Sequence, residues 1–441
     1  MILNNATLVT FWASKPFLES ALIALEGRTI VDFGSVGKLI DRYDDPETLD
    51  VGGRVIIPGL VNAHTHLRRT LAQGMPVKGE LPRSFEDIQE SLWWKFDRAL
   101  SKEDVYLGAK VGLLDSVRAG VTTVVDHHSS PATIPGSLDV VEQAFAEMGV
   151  RGSLAYATTD RYGERASRAS IEENRRFLER CKSSRPEMMT GLFGLESSSS
   201  ISDATLDRAL GVAKELDSAF HVHVSEDVVD LEKSRLEYGA TPVERLADKG
   251  VLREGSLAVH CVRLDSEDYR RLKQSGARVV LNPQSNADGG VGMADVTRFR
   301  GAGIPVALGT DGFTAGVLEE FRAAALLQRV SGRHASGARR EAFQAAFVGN
   351  SQLAMGLFGA TVGKIKPGAR ADLLVLDYRP ATPLGIENLE DHVFFGLSRA
   401  PTYAVIINGR LVFQQGVFPG IDEPRVRADA REAARRLWNR L

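Results

Sequence analysis

The stretch Pro58-Gly59-Leu60-Val61-Asn62-Ala63-His64-Thr65-His66-Leu67 combines an apolar run with two histidines that are two residues apart. Successive side chains of a β-strand point to opposite faces, so His64 and His66 face the same way and can bind one ion through their ring nitrogens. The spacing recurs at His221 and His223, although random placement of the nine histidines would produce only roughly 0.2 such pairs. Both pairs therefore indicate a metal site at the ends of strands.

Seven further β-branched runs follow the first, and amphipathic stretches separate them. Eight strands with helical sequence between them is the pattern of an α/β fold of the (β/α)8, TIM-like barrel type. A doubly wound open sheet would produce a similar alternation, and periodicity alone does not separate the two. The predicted strands cover residues 55–67, 122–128, 150–160, 188–198, 219–227, 256–264, 277–286 and 305–312.

The two ends of the chain differ from its middle. Strand-like pieces with turn signals occur before about residue 57 and return after residue 360, where Asn408-Gly409 is the dipeptide of a tight β-hairpin. We therefore expect residues 1–57 and 361–441 to form one small β domain, and residues 58–360 to form the barrel. Residues 426–441 have the pattern of a basic amphipathic helix that lies on the surface.

The composition excludes several classes of protein. The 441 residues include 54 basic and 57 acidic side chains, a net charge of −3. Proteins that bind nucleic acid or anionic membranes need a surface with an excess of basic side chains. We expect neither partner. Two cysteines are too few for a disulfide framework. The first five residues lack the pattern of a signal peptide, and no apolar run approaches the ~18 residues of a membrane helix. These features predict a soluble cytoplasmic protein.

The first-strand motif resembles the signature of the amidohydrolase superfamily, and four further motifs match in the same order along the chain. They are His221-Val222-His223-Val224-Ser225-Glu226, Val259-His260-Cys261, Leu308-Gly309-Thr310-Asp311-Gly312 and Gly363-Lys364-Ile365-Lys366-Pro367-Gly368. Within the superfamily the chain resembles the mononuclear branch of cytosine, guanine and S-adenosylhomocysteine deaminases and s-triazine hydrolases. The stretch Asp126-His127-His128-Ser129-Ser130-Pro131 is most similar to SsnA-type aminohydrolases. The resemblance implies a (β/α)8 barrel, a terminal β-sandwich domain and a homodimer or larger homo-oligomer.

The resemblance also implies one divalent metal per chain, bound by His64, His66, His223 and Asp311. Residues 190–197, on the strand that carries a bridging lysine in binuclear relatives, contain no lysine, which favours a single ion. Three imidazole nitrogens and one carboxylate suit zinc, and Fe2+ or Mn2+ would also fit. His221 points to the same face as His223 and is the alternative ligand.

Three of the matching residues receive catalytic roles from the resemblance. Asp311 would accept a proton from the metal-bound water, His260 would polarise the oxygen at the attacked carbon, and Glu226 would pass a proton to a ring nitrogen. These roles predict hydrolytic deamination of a purine, pyrimidine or related N-heterocycle by a metal-bound hydroxide, with release of ammonia. The alternatives are hydrolysis of a cyclic amide or of a chloro or thio substituent on a triazine-like ring, and a non-catalytic assembly protein on the same scaffold.

Four further side chains are candidate substrate contacts: Gln73, Trp94, His128 and Glu196. The segment between the first two predicted strands is rich in glycine and proline, so we expect an extended loop over the active-site face. Trp94 could stack on a flat heterocycle or anchor this loop on the barrel. Packing is the alternative role for His128, and a surface position is the alternative for Glu196.

Overall fold

The computed structural model describes residues 1–39, 42–43, 47–184, 187–331 and 337–441. Its strands are β1 Ile2–Val9, β2 Phe17–Glu26, β3 Thr29–Ser35, β4 Thr48–Asp50, β5 Val55–Pro58, β6 Leu60–Thr65, β7 Val121–His128, β8 Arg151–Tyr156, β9 Met189–Gly191, β10 Phe193–Ser197, β11 Phe220–Val224, β12 Leu257–His260, β13 Arg278–Leu281, β14 Val306–Leu308, β15 Leu373–Leu376, β16 Thr402–Ile407 and β17 Arg410–Gln414.

The α-helices are α1 Val36–Leu39, α2 Phe85–Ile88, α3 Trp94–Ala99, α4 Lys102–Arg118, α5 Ser137–Met148, α6 Glu164–Ser184, α7 Asp203–Glu215, α8 Val228–Tyr238, α9 Pro242–Asp248, α10 Ser266–Ser275, α11 Pro283–Asp288, α12 Val296–Gly301, α13 Val317–Val330, α14 Ala338–Phe343, α15 Asn350–Phe358, α16 Leu389–Phe395 and α17 Glu423–Asn439. Within the described residues, no helix is both long enough and apolar enough to cross a membrane.

The middle of the chain forms two parallel sheets, ordered β6-β7-β8-β9 and β10-β11-β12-β13-β14. Single parallel bridges, Thr158 with Leu195 and Thr65 with Asp311, connect the two sheets. The strands are buried along nearly their whole length, as expected when helices cover a parallel sheet. The predicted α/β class with parallel strands is confirmed, and each of the eight predicted strand regions contains a strand of these sheets.

The approach of β14 to β6 depends on a glycine. A Cβ atom on Gly309 would lie 2.7 Å from the backbone nitrogen and oxygen of His64, so a larger residue would push the two strands apart. Because Gly309 has no side chain, the Thr310 and Asp311 amides donate to the His64 carbonyl at 2.9 and 3.1 Å. The end of β14 is thereby held beside the His-x-His pair.

Several predicted strand regions have different limits in the structure, and residues 188–198 are divided between β9 and β10, which belong to different sheets. Residues 55–67 form β5 and β6, which pair in different sheets. They separate at Gly59, where a Cβ atom would lie 2.4 Å from the Thr122 side chain. Residues 277–286 form only the short strand β13, because Pro283 starts helix α11 at a position where its missing N–H is not needed.

Strands from both ends of the chain share one mixed sheet, ordered β17-β16-β15-β5-β1-β2-β3, with β4 paired to β1. Strand β5 joins the two ends because it runs antiparallel to β15, with Pro58 opposite Leu373. The hairpin predicted at Asn408-Gly409 is confirmed between β16 and β17. Both of its turn residues have positive φ, 51° and 77°, the conformation for which this dipeptide is favoured.

Helical turns occupy much of the segment that was expected to be an extended loop. A 3-10 turn spans Leu67–Ala72, and α2, a π-helical turn at Gln89–Trp93 and α3 follow. A capping box at Ser84 and Asp87 starts α2, a signal that is visible in the sequence. The segment also contacts the end of the chain, since Trp438 of α17 donates its indole N–H to the Leu71 carbonyl at 2.9 Å.

Candidate metal centre and active site

Four histidines and one aspartate meet where β6, β11, β12 and β14 end: His64, His66, His223, His260 and Asp311. Their rings lie close together, with centroid distances of 4.8 Å between His64 and His66, 5.2 Å between His64 and His223, and 5.3 Å between His223 and His260. Asp311 Oδ1 lies 3.1 Å from His66 Nε2 and 3.9 Å from His64 Nε2. All five residues are buried. The residues predicted as ligands therefore form one cluster.

The Nδ1 atom of each of the three predicted histidine ligands contacts a residue outside the ligand set. His66 Nδ1 donates to the His127 carbonyl at 2.6 Å, and His223 Nδ1 donates to the Glu196 carbonyl at 2.9 Å. His64 Nδ1 lies 2.8 Å from Nε2 of His221. The Nε2 atom of His64 is buried and has no hydrogen-bond partner among the described residues. This pattern fits a divalent metal, since a metal-bound histidine commonly uses one nitrogen for the ion and the other for a supporting hydrogen bond.

The contacts of the cluster also define the position of His221, the alternative ligand. His221 contributes its Nε2 atom to the contact with His64, so it lies one layer below the cluster and orients a predicted ligand. Burial lowers the pKa of the His221 and His64 imidazoles well below 6.5. Both rings are therefore neutral near pH 7, as a nitrogen donor to a metal must be.

Asp311 is held by three donors and a strained backbone. Ser285 Oγ donates to Oδ2 at 2.6 Å, and the Gly312 amide and the Arg69 guanidinium donate to Oδ1 at 2.6 and 3.2 Å. Burial alone would raise the pKa of Asp311, but Arg69, His260 and Ser285 lower it to about 2. Its φ of 54° lies in the left-handed region, which is unfavourable for a residue with a Cβ. The carboxylate is therefore ionised and fixed in place.

His260 and Glu226 form the other side of the cluster. Asn282 and Asn286 can donate to His260 Nδ1, at 3.2 and 2.9 Å. Burial lowers the pKa of this imidazole to about 3, so with Nδ1 as an acceptor its Nε2 carries the proton. Nε2 faces Glu226 Oε1 at 3.4 Å and Asp311 Oδ2 at 3.9 Å. Burial and the charge of Asp311 raise the pKa of Glu226 well above 4.5, which favours its protonated form.

A cavity of about 310 Å³ opens beside His223 and Glu226. Trp94, Arg161 and Glu196 line it. The Arg161 guanidinium stacks 3.9 Å from the Trp94 ring centroid, and its Nη1 lies 3.5 Å from Glu196 Oε1. Burial opposes ionisation of Glu196, but Arg161 and His223 outweigh it and lower the pKa of that carboxyl. The cavity is therefore lined by a guanidinium stacked on an aromatic ring and by a carboxylate.

Two of the predicted substrate contacts lie elsewhere. Gln73 is exposed at the end of the 3-10 turn, outside the set of residues that line the cavity. His128 is buried, with Nε2 2.9 Å from Ser130 Oγ and its ring edge-on to Tyr156. The histidine of this pair that faces the cluster is His127.

Sequence reasoning missed the support that α11 supplies to the site. Ser285 and Asn286 from this helix, with Asn282 before it, contact Asp311 and His260. The signal in the sequence was the polar run Asn282-Pro283-Gln284-Ser285-Asn286. It directly follows an apolar strand, as the other site residues do.

Comparison with known proteins places the chain among hydrolases. The model of the Amidohydrolase family matches residues 55–412. A 5-methylthioadenosine/S-adenosylhomocysteine deaminase of Pelotomaculum thermopropionicum is 31% identical over 100% of this chain and 99% of its own length. A 5'-deoxyadenosine deaminase of Methanosarcina mazei is 26% identical over 100% and 99%. The structure of an adenosine deaminase from Xanthomonas campestris with bound zinc superposes with a TM-score of 0.87 at 22% identity, covering 99% of this chain and 98% of that one.

Proposed function

The chain belongs to the amidohydrolase family and hydrolyses carbon–nitrogen bonds, and from this premise we propose that it deaminates the 6-aminopurine of an adenosine derivative. One observation carries the proposal: Glu226, His260 and Asp311 lie together beside three histidines. The Nδ1 atoms of these histidines already contact other residues. The names of the relatives support an adenosine-type substrate. A cavity lined by Trp94 and by the planar Arg161 guanidinium suits a planar purine.

We assign His64, His66, His223 and Asp311 as the residues that would hold a divalent metal, with zinc as the ion that three imidazoles and a carboxylate suit. Such an ion activates water as a nucleophile near neutral pH. Because His221 supports His64, it is left out of this set. The zinc in a related structure supports the choice of ion.

The proposed reaction divides proton transfer among three residues. Glu226 gives its proton to the ring nitrogen next to the amino-bearing carbon, which makes that carbon electrophilic. Asp311 takes a proton from the attacking water, and the Nε2 proton of His260 stabilises the oxygen that the carbon gains. The ionised Glu226 then passes the proton of the new hydroxyl to the amino group, which leaves as ammonia. The proton held by Asp311 restores Glu226, so protons balance over the cycle.

The architecture around the site is part of the proposal. Bridges connect the two parallel sheets at Thr65–Asp311 and Thr158–Leu195, and this supports a single (β/α)8 barrel over residues 58–360. Residues 1–57 and 361–441 share the mixed sheet, which supports a second domain of the β-sandwich type. The cytoplasmic location stays a prediction from the sequence. The family resemblance implies a homodimer or larger homo-oligomer, which light scattering after size-exclusion chromatography would test.

A substrate panel on metal-reconstituted protein tests the proposed reaction. Ammonia release should be observed with adenosine, 5-methylthioadenosine, S-adenosylhomocysteine or 5'-deoxyadenosine, and should be slower with guanine, cytosine and amino-triazines. Glu226→Gln should keep its metal and lose roughly 10²–10⁴-fold in kcat, the usual effect of losing a general acid–base. Glu86→Gln is the matched control, because Glu86 also lines the cavity but pairs with Lys233 at its exposed edge.

Each alternative function predicts a different result. Chloride release or ring opening without ammonia would favour hydrolysis of a triazine substituent or a cyclic amide. Less than one metal per chain, with no effect of alanine at His64 or Asp311, would favour a non-catalytic scaffold. Full turnover by Glu226→Gln would remove Glu226 from its proposed role.

A further inference from the structure

His127 on β7 points into the histidine cluster, although neither the metal set nor the proposed reaction uses it. Its ring centroid lies 4.6 Å from that of His221 and 4.7 Å from that of His223. The rings of His66 and His64 follow at 5.7 and 5.9 Å. His127 is completely buried. It therefore belongs to the same cluster as the predicted ligands.

The imidazole of His127 has no polar partner that accounts for its position. Within the described part of the chain, neither ring nitrogen has a hydrogen-bond partner, and its contact with the His221 backbone does not reach hydrogen-bond geometry. An unpaired polar group in the interior is costly. The His127 carbonyl accepts from His66 Nδ1 at 2.6 Å and from Arg68 Nη1 at 2.8 Å, and these bonds fix the backbone that carries the ring. The strand thus holds an unsatisfied imidazole against the predicted ligands.

We propose that His127 is a further ligand of the divalent metal, in addition to His64, His66, His223 and Asp311. One ring nitrogen each of His66, His127 and His223 lies within 4.8 Å of the other two. Two nitrogens bound to one ion at ~2.0–2.1 Å are at most about 4.2 Å apart. The spacing of the three nitrogens is therefore close to that of ligands on one ion, and rotation of the rings would have to close the remaining difference.

The resulting site would bind the ion through four imidazoles and one carboxylate. This count differs from the three imidazoles implied by the sequence motifs, because His127 lies on β7 rather than on the strands that carry those motifs. Five protein ligands leave fewer positions for water, and they favour ions that accept more than four ligands. The inference rests on the metal of the proposed function and is independent of the substrate.

Cobalt binding to the metal-free protein tests the assignment. His127→Phe keeps an aromatic ring of similar size and removes both nitrogens. His128→Phe is the matched control, since His128 is equally buried on the same strand but pairs with Ser130 on the other face. We expect His127→Phe to bind Co2+ about 10–100-fold more weakly than wild type. Its visible absorption should also become more intense, since cobalt absorbs more strongly when it has fewer ligands. The control should keep the wild-type affinity and spectrum.

Equal Co2+ affinity and an unchanged spectrum in His127→Phe would overturn the assignment. X-ray absorption of the wild-type metal protein provides a measurement that does not depend on the folding of a variant. It should count four imidazoles per ion, and a count of three would refute the proposal. Failure of the wild-type protein to bind any divalent metal would instead reject the metal of the proposed function, so the two failures are distinguishable.

Discussion

The ion pair between Arg151 and Asp372 should be a main determinant of stability, because it connects the parallel sheets to the mixed terminal sheet. Arg151 begins β8, and Asp372 immediately precedes β15. Both side chains have no exposed surface, and Arg151 Nη2 lies 3.0 Å from Asp372 Oδ2. Asp372 Oδ1 also accepts the Asn408 amide at 2.7 Å. The pair is therefore desolvated and well bonded.

Substitution Asp372→Asn should lower the free energy of unfolding by about 3–5 kcal/mol. The amide keeps one acceptor oxygen, but its NH2 group faces the Arg151 donors, and the guanidinium charge is left buried without a counterion. Breaking a buried pair in this way costs about 3–5 kcal/mol, whereas replacing both partners by apolar residues is often nearly neutral. The double variant Arg151→Met/Asp372→Leu should therefore be more stable than Asp372→Asn.

Urea unfolding followed by tryptophan fluorescence and far-UV circular dichroism measures the effect, and coincident transitions would justify a two-state treatment. With a slope of about 3 kcal/mol per molar urea, the midpoint should fall by about 1–1.7 M. Glu164→Gln is the matched control, because Glu164 pairs with Arg168 on an exposed helix face, and it should unfold near the wild-type midpoint. A midpoint shift in Asp372→Asn as small as that of the control would refute the reasoning.

Three further predictions concern groups around the site. Burial raises the pKa of Glu320 to about 8 in the folded protein, against about 4.5 in an unfolded chain. Between these pH values the folded protein retains a proton that the unfolded chain releases, so the free energy of unfolding falls as the pH rises. From pH 6 to 9 the wild type should lose about 2.5 kcal/mol of unfolding free energy that Glu320→Gln retains; equal losses in urea unfolding at the two pH values would contradict this. Ser285→Ala removes the 2.6 Å bond to Asp311 and should lower kcat about 10-fold or more at unchanged metal content, as expected for a hydrogen bond to a charged group; wild-type kcat would exclude this positioning role. Glu196→Gln neutralises the carboxylate that lines the cavity beside Arg161 and should raise KM for adenosine derivatives about 10-fold with a smaller change in kcat, and an unchanged KM would remove Glu196 from substrate binding.

The residues of the candidate site were predictable because their signals are local. A His-x-His pair at the end of an apolar run places two imidazoles on one face of a strand, whatever the rest of the fold does. The hairpin at Asn408-Gly409 is a local signal of the same kind. Asp311 after β14 was identified by the resemblance of Leu308-Gly309-Thr310-Asp311-Gly312 to a family motif. The β-branched runs between amphipathic stretches likewise predicted all eight regions in which the parallel strands occur.

Other features depend on residues that are far apart in sequence. The division of residues 55–67 between two sheets follows from the pairing of β5 with β15, more than 300 positions away. Support of Asp311 by Ser285, and of His260 by Asn286, depends on the position of α11 beside the ends of β12 and β14. The segment after β6 was expected to be a loop, although the capping box at Ser84 and Asp87 is a local signal for the start of α2.

The amino-acid sequence by itself determined the parallel α/β class, the eight strand regions and the two His-x-His pairs able to bind a metal, because hydrophobic pattern and residue chemistry act over a few positions. Only the tertiary structure decided which nitrogen of each histidine faces the cluster, that His221 supports His64, and that His127 rather than His128 faces inward. Those outcomes depend on strand register and on hydrogen bonds between distant segments. The contact of Gly309 with the His64 backbone arises only when β6 and β14 come together.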